Sequence, residues 1–96
     1  MNYSRYSYEF PDATPIAERD ATVRGDVRKQ IVRIVLEVLE ALDAWDSGDR
    51  QGAIIELHDV QQAKETATRL MKASKAELDD AKRVMITKNR ERGYYL

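Results

Sequence analysis

His58 is the first candidate for a reactive or metal-binding residue in this chain, because it is the single histidine and lies close to Glu56 and Asp59 in the sequence. Imidazole and carboxylate groups together can bind a metal ion or transfer protons. The Glu-x-x-His pattern of di-iron helical bundles would need a glutamate at position 55, which is Ile55. We therefore expect no metal site and no cofactor, with His58 facing solvent or a partner.

Other catalytic patterns are missing from the sequence. The chain has no cysteine, and no serine–histidine pairing is evident. The glycines at 25, 48, 52 and 93 form no phosphate-binding loop. The many carboxylates are scattered at the spacing of a solvated helix face. This inventory predicts a protein that is not an enzyme.

Length and composition predict a small soluble protein. The 96 residues are enough for a single domain, 1–96, with a net charge of −1. The N-terminus lacks the apolar stretch of a signal peptide, and no run approaches the roughly 18 apolar residues of a membrane span. We expect a cytoplasmic location, with which the absence of cysteine agrees.

Two zones of opposite charge are visible. Residues 34–59 contain seven acidic residues and one basic residue, whereas residues 81–96 contain five basic residues and one acidic residue. The acidic zone lies around a turn in the middle of the chain, and the basic zone lies at its C-terminal end.

The middle of the chain has the apolar period of an α-helix. Thr14 and Pro15 are typical of an N-cap and a first helical residue, and a helix is predicted over about 15–46. Gly25 leaves open a break, after which Asp26 would cap a new helix. The apolar residues of this first helix recur mainly at steps of three, four and seven and are predicted to form one packing face. They are Ile16, Val23, Val27, Ile31, Ile34, Val38, Ala41 and Trp45.

A short turn connects this helix to a second one. Gly48 suits the left-handed position after a helix, and Ser47 or Asp49 can cap the next helix. The second helix is predicted to run without interruption over about 50–92, and the two helices to form an antiparallel hairpin. Trp45 is expected to seal the tip of this hairpin. The second packing face is predicted to contain Ala53, Leu57, Val60, Ala67, Met71, Ser74, Leu78, Ala81 and Met85.

Aromatic residues are concentrated at the two ends of the chain. We expect an extended N-terminal tail, 1–13, and a short C-terminal tail, 93–96, on either side of the helical hairpin, 15–92. The tail aromatics are predicted to pack on the second helix near Leu78, Ala81 and Met85, or to bind a partner. They are Tyr6, Tyr8, Phe10, Tyr94 and Tyr95.

The first helix carries a second apolar stripe that a two-helix hairpin would leave exposed. The stripe contains Val32, Val35, Leu36 and Leu39, and contiguous apolar surface of this kind usually marks an interface. We expect a homodimer that completes a four-helix bundle, with the acidic turn of each copy near the basic end of the other. A different helical protein is the alternative occupant.

The sequence therefore predicts an all-α, non-catalytic protein–protein interaction module: an adaptor, inhibitor or chaperone-like accessory protein, of the kind that phages and plasmids encode. The alternative is a small helical subunit that contacts nucleic acid through its basic C-terminal end. The residues that would make this contact are Lys82, Arg83, Lys88, Arg90 and Arg92.

Overall fold

The computed structural model describes residues 8–95, and this part of the chain is all-helical, without strands. The helices are α1 (Thr14–Arg19), α2 (Val27–Asp46), α3 (Arg50–Leu70) and α4 (Lys75–Glu91). The predicted all-α class is confirmed. Within residues 8–95, no helix has the length and apolarity that crossing a membrane would demand.

The chain divides into two compact units. One spans Phe10–Lys72 and contains α1, α2 and α3. The other contains 73–95, and therefore α4, together with the described residues before Phe10.

Helices α2 and α3 pack side by side in opposite directions. Gly48 has a φ of +81°, as predicted for the residue that reverses the chain after α2. Asp49 then caps α3, because its carboxylate accepts a hydrogen bond of 2.8 Å from the backbone N–H of Gly52. Far from the turn, the Gln30 side-chain amide donates to the carbonyl of Ala63 at 3.2 Å, which joins the start of α2 to the later part of α3.

Alanine, polar residues and a few larger aliphatic residues line the contact between α2 and α3. Its members recur at steps of three and four on each helix and are buried or half-buried. We call this contact the seam; it consists of Val27, Gln30, Ile34, Glu37, Ala41 and Ala44 on α2, and Ala53, Glu56, Val60, Ala63, Ala67 and Leu70 on α3.

The predicted packing faces are therefore only partly correct. Ile31, Val38 and Leu57, which were expected to face the opposite helix, are exposed. Trp45 is 59% exposed and does not seal the tip of the hairpin. The reason is that α2 is apolar on most of its circumference, so the apolar period alone does not select the packed side.

The first predicted helix is broken, as the alternative at Gly25 allowed. Arg24 and Gly25 both have positive φ angles, and the Asp26 carboxylate caps α2 through the backbone N–H of Lys29 at 3.0 Å. The N-cap of α1 is Ala13, without a side-chain cap, so the expected Thr14 cap is wrong. The Asp12 carboxylate instead accepts from the Thr14 N–H at 2.8 Å.

The second predicted helix is also broken, and the prediction of one helix over 50–92 is wrong. Lys72 adopts a left-handed φ of +56°, which ends the run begun by α3. Ser74 then caps α4 by accepting from the backbone N–H of Glu77, whose carboxylate accepts from the Ser74 N–H. This reciprocal capping box stabilises a new helix start.

The N-terminal segment is held against α3 by two charged side chains, the buried Glu65 and the half-buried Arg69. Glu65 is 2% exposed and accepts a 3.0 Å hydrogen bond from the backbone N–H of Phe10. Arg69 donates to the carbonyl of Phe10 at 2.9 Å and approaches the Asp12 carboxylate at 3.5 Å. The ring of Phe10 meets His58 edge-on at 5.9 Å between centroids. Phe10 therefore packs on α3, and its predicted position on the 78–85 stretch is wrong.

Candidate metal centre

Four carboxylates lie on facing turns of α2 and α3. Glu37 and Glu40 are three residues apart on α2, and Glu56 and Asp59 are three residues apart on α3. Side chains at this spacing lie on neighbouring positions of one helix surface. Because the helices run antiparallel from the turn at 47–49, both pairs reach the same level of the hairpin. Carboxylate oxygens of Glu37, Glu56 and Asp59 all lie within 4.8 Å of one another.

We call Glu37, Glu56 and Asp59, with Glu40 beside them, the carboxylate cluster. The cluster is partly removed from water. The side chain of Glu37 is only 18% exposed, and Glu56 is half-buried in the seam. The Oε2 atom of Glu56 is buried and has no hydrogen-bond partner among the described residues. A buried carboxylate oxygen without a partner is costly, since it has lost its hydration without gaining a replacement.

Burial and mutual repulsion change the acidity of the cluster. Burial raises the pKa of Glu37 above its ordinary value, and the nearby Glu40 and Asp59 raise that pKa further, while Arg33 opposes them. Burial also raises the pKa of Glu56, with added repulsion from Glu40, Asp59 and Glu37. Both shifts mean that the ionised cluster is electrostatically unfavourable without a cation.

The cluster has the chemistry of a site for a hard divalent cation. Mg²⁺ and Mn²⁺ prefer carboxylate oxygens, and bundle proteins build metal sites from side chains on facing helices. Two oxygens bound to one Mg²⁺ at about 2.1 Å are at most about 4.2 Å apart. The carboxylate oxygens lie within 4.8 Å of one another, so they would have to move closer together to bind one Mg²⁺.

A cleft of about 240 Å³ adjoins the cluster between α1, α2 and α3. Glu37 and Asp59 form part of its wall, and Gln30, Arg33 and Gln62 add amide and guanidinium groups. Alanine, isoleucine and valine side chains from the N-terminal part of the unit line the other side. The lining of the cleft therefore has carboxylates at one end, the guanidinium of Arg33 and an apolar wall.

Arg33 is the cation of this cleft. Its guanidinium lies 3.6 Å from the Glu37 carboxylate and 3.7 Å from the Asp20 carboxylate. The Asp20 carboxylate also accepts from the hydroxyl and backbone N–H of Thr22, and these hydrogen bonds, followed by the charge of Arg33, lower its pKa. Asp20 is thus held ionised and positions Arg33 over the cleft.

The residues singled out from the sequence lie elsewhere. His58 is exposed, as expected, and contacts Phe10 outside the carboxylate cluster. Val32, Val35, Leu36 and Leu39 are about half exposed on α2, and their role as an interface stays a prediction. The five basic residues predicted to contact nucleic acid are all exposed within or just after α4, and that contact also stays a prediction.

The terminal aromatics are only partly described. Tyr8 is half-buried, whereas Tyr94 and Tyr95 are exposed, and Tyr6 lies outside the described residues. Of this set, Phe10 has a defined place against His58 and Glu65. Partner binding by these residues stays a prediction.

The expectation of a solvated acidic face is wrong for Glu37 and Glu56, which are half-buried in the seam. The signal that points to them is a pair of acidic i,i+3 motifs, Glu37-x-x-Glu40 and Glu56-x-x-Asp59, at similar distances from one short turn. In an antiparallel hairpin such motifs lie at the same level, and they face each other when each lies on the packed side of its helix.

Comparisons of the chain with models of protein families, with curated proteins and with solved structures found no match.

Proposed function

We propose that this chain binds a divalent cation, Mg²⁺ or Mn²⁺, in its carboxylate cluster and hydrolyses a phosphorylated small molecule in the adjoining cleft. The observation that carries the proposal is the convergence of Glu37 and Glu56, in the seam, with the exposed Asp59 beside it. A helix contact normally takes apolar residues, and like charges there oppose folding unless something compensates them. Clustered groups with perturbed pKa values are typical of functional sites.

The cleft supports a phosphorylated ligand. A site with few protein carboxylates leaves coordination positions of Mg²⁺ for substrate phosphate oxygens. Arg33 in the same cleft offers the planar donor group that suits phosphate. A bound Mg²⁺ would neutralise phosphate charge and orient the phosphate for attack by water. The apolar wall would hold the remaining part of the ligand.

Each carboxylate has an assigned role in this proposal. Glu37, Glu56 and Asp59 hold the cation. Glu40 is exposed, yet close enough to raise the pKa of both Glu37 and Glu56. Glu40 does not line the cleft, so we assign it only the electrostatic role of attracting the cation. In the proposed reaction the oxygen of a water molecule forms a bond to phosphorus as the bond to the leaving oxygen breaks, and the leaving oxygen takes up the proton that the water loses.

Cation binding is the first test. Titration calorimetry with MgCl₂ and MnCl₂ should detect binding to wild type and a loss of at least about tenfold in affinity for Glu56→Gln, a change of similar size to those caused by lost metal-site partners. The matched control is Glu18→Gln, an exposed carboxylate on α1. No binding by wild type at millimolar concentrations of either cation, or equal affinities for the two variants, would refute the proposal.

Hydrolysis is the second test. Wild type would be incubated with Mg²⁺ and a panel of nucleotides and sugar phosphates, and products followed by ³¹P NMR. We expect turnover of at least one class, its loss in the presence of EDTA, and a large reduction in Arg33→Ala. A chain that binds the cation but cleaves nothing in the panel would leave a structural cation site and defeat the catalytic part of the proposal.

A second candidate function is the one predicted from the sequence, a non-catalytic interaction protein. The observation that favours it is the row of large apolar side chains about half exposed on α2, including Val32, Val35, Leu36 and Leu39. Contiguous apolar surface of this extent is typical of interfaces. The tests above separate the two candidates, since an interaction protein needs neither cation binding nor turnover. The predicted cytoplasmic location suits both.

A further inference from the structure

The side of α2 that faces away from α3, which we call the outer face, is apolar in its middle. Val32, Val35, Leu36, Leu39 and Leu42 lie on this side and are each about half exposed. They recur at steps of three and four, so they form one continuous surface along the helix. The seam on the opposite side of α2 is built largely from alanine and polar residues. Most of the larger apolar side chains of α2, other than Val27 and Ile34, are thus outside the seam.

The two ends of this outer face carry opposite charges. Arg28 and Lys29 precede the apolar residues, and Asp43 and Asp46 follow them; all four are exposed. Residues 28, 35 and 42, residues 29, 36 and 43, and residues 32, 39 and 46 recur at intervals of seven, which keeps them on the same side of the helix. The outer face therefore reads basic, apolar, acidic from its N-terminal to its C-terminal end.

We propose that a second copy of this chain covers the outer face, with the two α2 helices antiparallel about a two-fold axis near Leu36. A two-fold interface must be complementary to itself. The outer face meets this condition, because its basic and acidic ends lie on either side of an apolar middle. In the antiparallel arrangement Arg28 and Lys29 lie near Asp43 and Asp46 of the partner subunit at both ends, while the apolar middles meet. A parallel arrangement would bring like charges together at both ends.

This interface is independent of the carboxylate cluster. Glu37 and Ala41 lie in the seam, on the opposite side of α2 from Leu36 and Leu39. Disrupting the outer face should leave cation binding intact in each chain, and removing the cation site should leave the dimer intact. Failure of either proposal can therefore be recognised separately.

Charge reversal tests the pairing and its direction. Arg28→Asp/Lys29→Asp makes both ends of the face acidic, and Asp43→Lys/Asp46→Lys makes both ends basic. In sedimentation equilibrium we expect wild type at twice its 11.1 kDa chain mass. Each variant alone should dissociate at concentrations at least tenfold higher than wild type, and an equimolar mixture should form a heterodimer that regains the wild-type affinity.

Lys64→Asp/Lys72→Asp is the matched control for Arg28→Asp/Lys29→Asp, because it changes the net charge equally at exposed positions outside α2 and should not alter the dimer. A monomeric wild type overturns the proposal, and so does a dimer indifferent to both reversals. An equimolar mixture of the two variants that does not regain the wild-type dimer affinity overturns the antiparallel arrangement. All four substituted positions on α2 are exposed, and circular dichroism would verify that each variant is folded.

A cysteine gives a second readout, since the chain has none of its own. Leu36→Cys lies near the proposed axis, so it should form an intermolecular disulfide rapidly under mild oxidation. Leu57→Cys, exposed on α3, should crosslink at least tenfold more slowly. Equal rates for the two variants would contradict the proposed axis.

Discussion

Glu37 experiences two opposite electrostatic influences within a few ångströms. On one side is the guanidinium of Arg33, and on the other are the carboxylates of Glu40, Glu56 and Asp59. Burial and repulsion outweigh the attraction, since the pKa of Glu37 is raised. The ionised side chain therefore opposes folding in the metal-free protein, and a divalent cation would reverse that effect.

We predict that Glu37→Gln raises the melting temperature in EDTA-containing buffer at pH 7. A raised carboxyl pKa means that the folded state disfavours ionisation, so the penalty is absent below the ordinary value of 4.5 and is fully present once the pH exceeds the raised folded value. Thermal unfolding at pH 4 and pH 7 checks this. The gain should shrink toward pH 4, and Glu18→Gln should show no gain at either pH. A melting temperature that falls in Glu37→Gln at pH 7 would contradict the repulsion described above.

At the scale of the helices, the turn at 47–49 and its caps were predictable because the signals are local. Gly48 takes the left-handed conformation and Asp49 caps α3, both from neighbouring residues alone. The start of α4 had an equally local signal, since Ser74 and Glu77 match the capping-box pattern. Counting Ser74 as part of an apolar face hides that signal and extends the second helix too far.

The packed side of α2 was not predictable in the same way. Its apolar residues surround most of the helix, so period alone cannot distinguish Ala41 from Leu39. Which side of α2 packs depends on the residues of α3 that lie opposite, and these include Ala53 and Ala63. The cluster of Glu37, Glu56 and Asp59 follows from that long-range choice.

We predict that Gly48→Ala destabilises the protein by about 1–2 kcal/mol, the cost of a left-handed φ for a residue with a Cβ atom. An added Cβ at this position would meet nothing within 4 Å, so the cost comes from the backbone alone. Urea denaturation measures the difference. The control Gln51→Ala, at an exposed position in the first turn of α3, should change stability by less than about 0.5 kcal/mol.

At the scale of the molecule, the packing of Phe10–Lys72 is unusually rich in small residues. The buried apolar residues of this unit are Ala17, Val23, Ala41, Ala53, Ala63 and Ala67. Such a core removes little apolar surface from water, whereas the exposed face of α2 offers much more. Folding and self-association are therefore expected to be coupled.

We predict that the melting temperature of wild type rises with protein concentration. A tenfold increase in concentration is worth about 1.4 kcal/mol by mass action. The proposed dimer of two 96-residue chains falls in the size class of about 150–250 residues, for which 1 kcal/mol shifts the melting temperature by about 2–4 °C, so we expect a rise of roughly 3–6 °C. Leu36→Glu should abolish this dependence. Leu57→Glu, at an exposed position of α3, should retain it. If the melting temperature of wild type does not change with protein concentration, a single chain folds completely without self-association.

The alanines between α2 and α3 would affect the ion selectivity of the proposed cation site. Methyl groups at Ala41, Ala53, Ala63 and Ala67 allow the helix axes to approach the short end of the usual 8–10 Å range. In the proposed cation site, glutamate and aspartate side chains from both helices would then reach one small ion. A bulkier residue such as leucine at position 63 would widen this gap and favour Ca²⁺, whose bonds to oxygen are longer, over Mg²⁺.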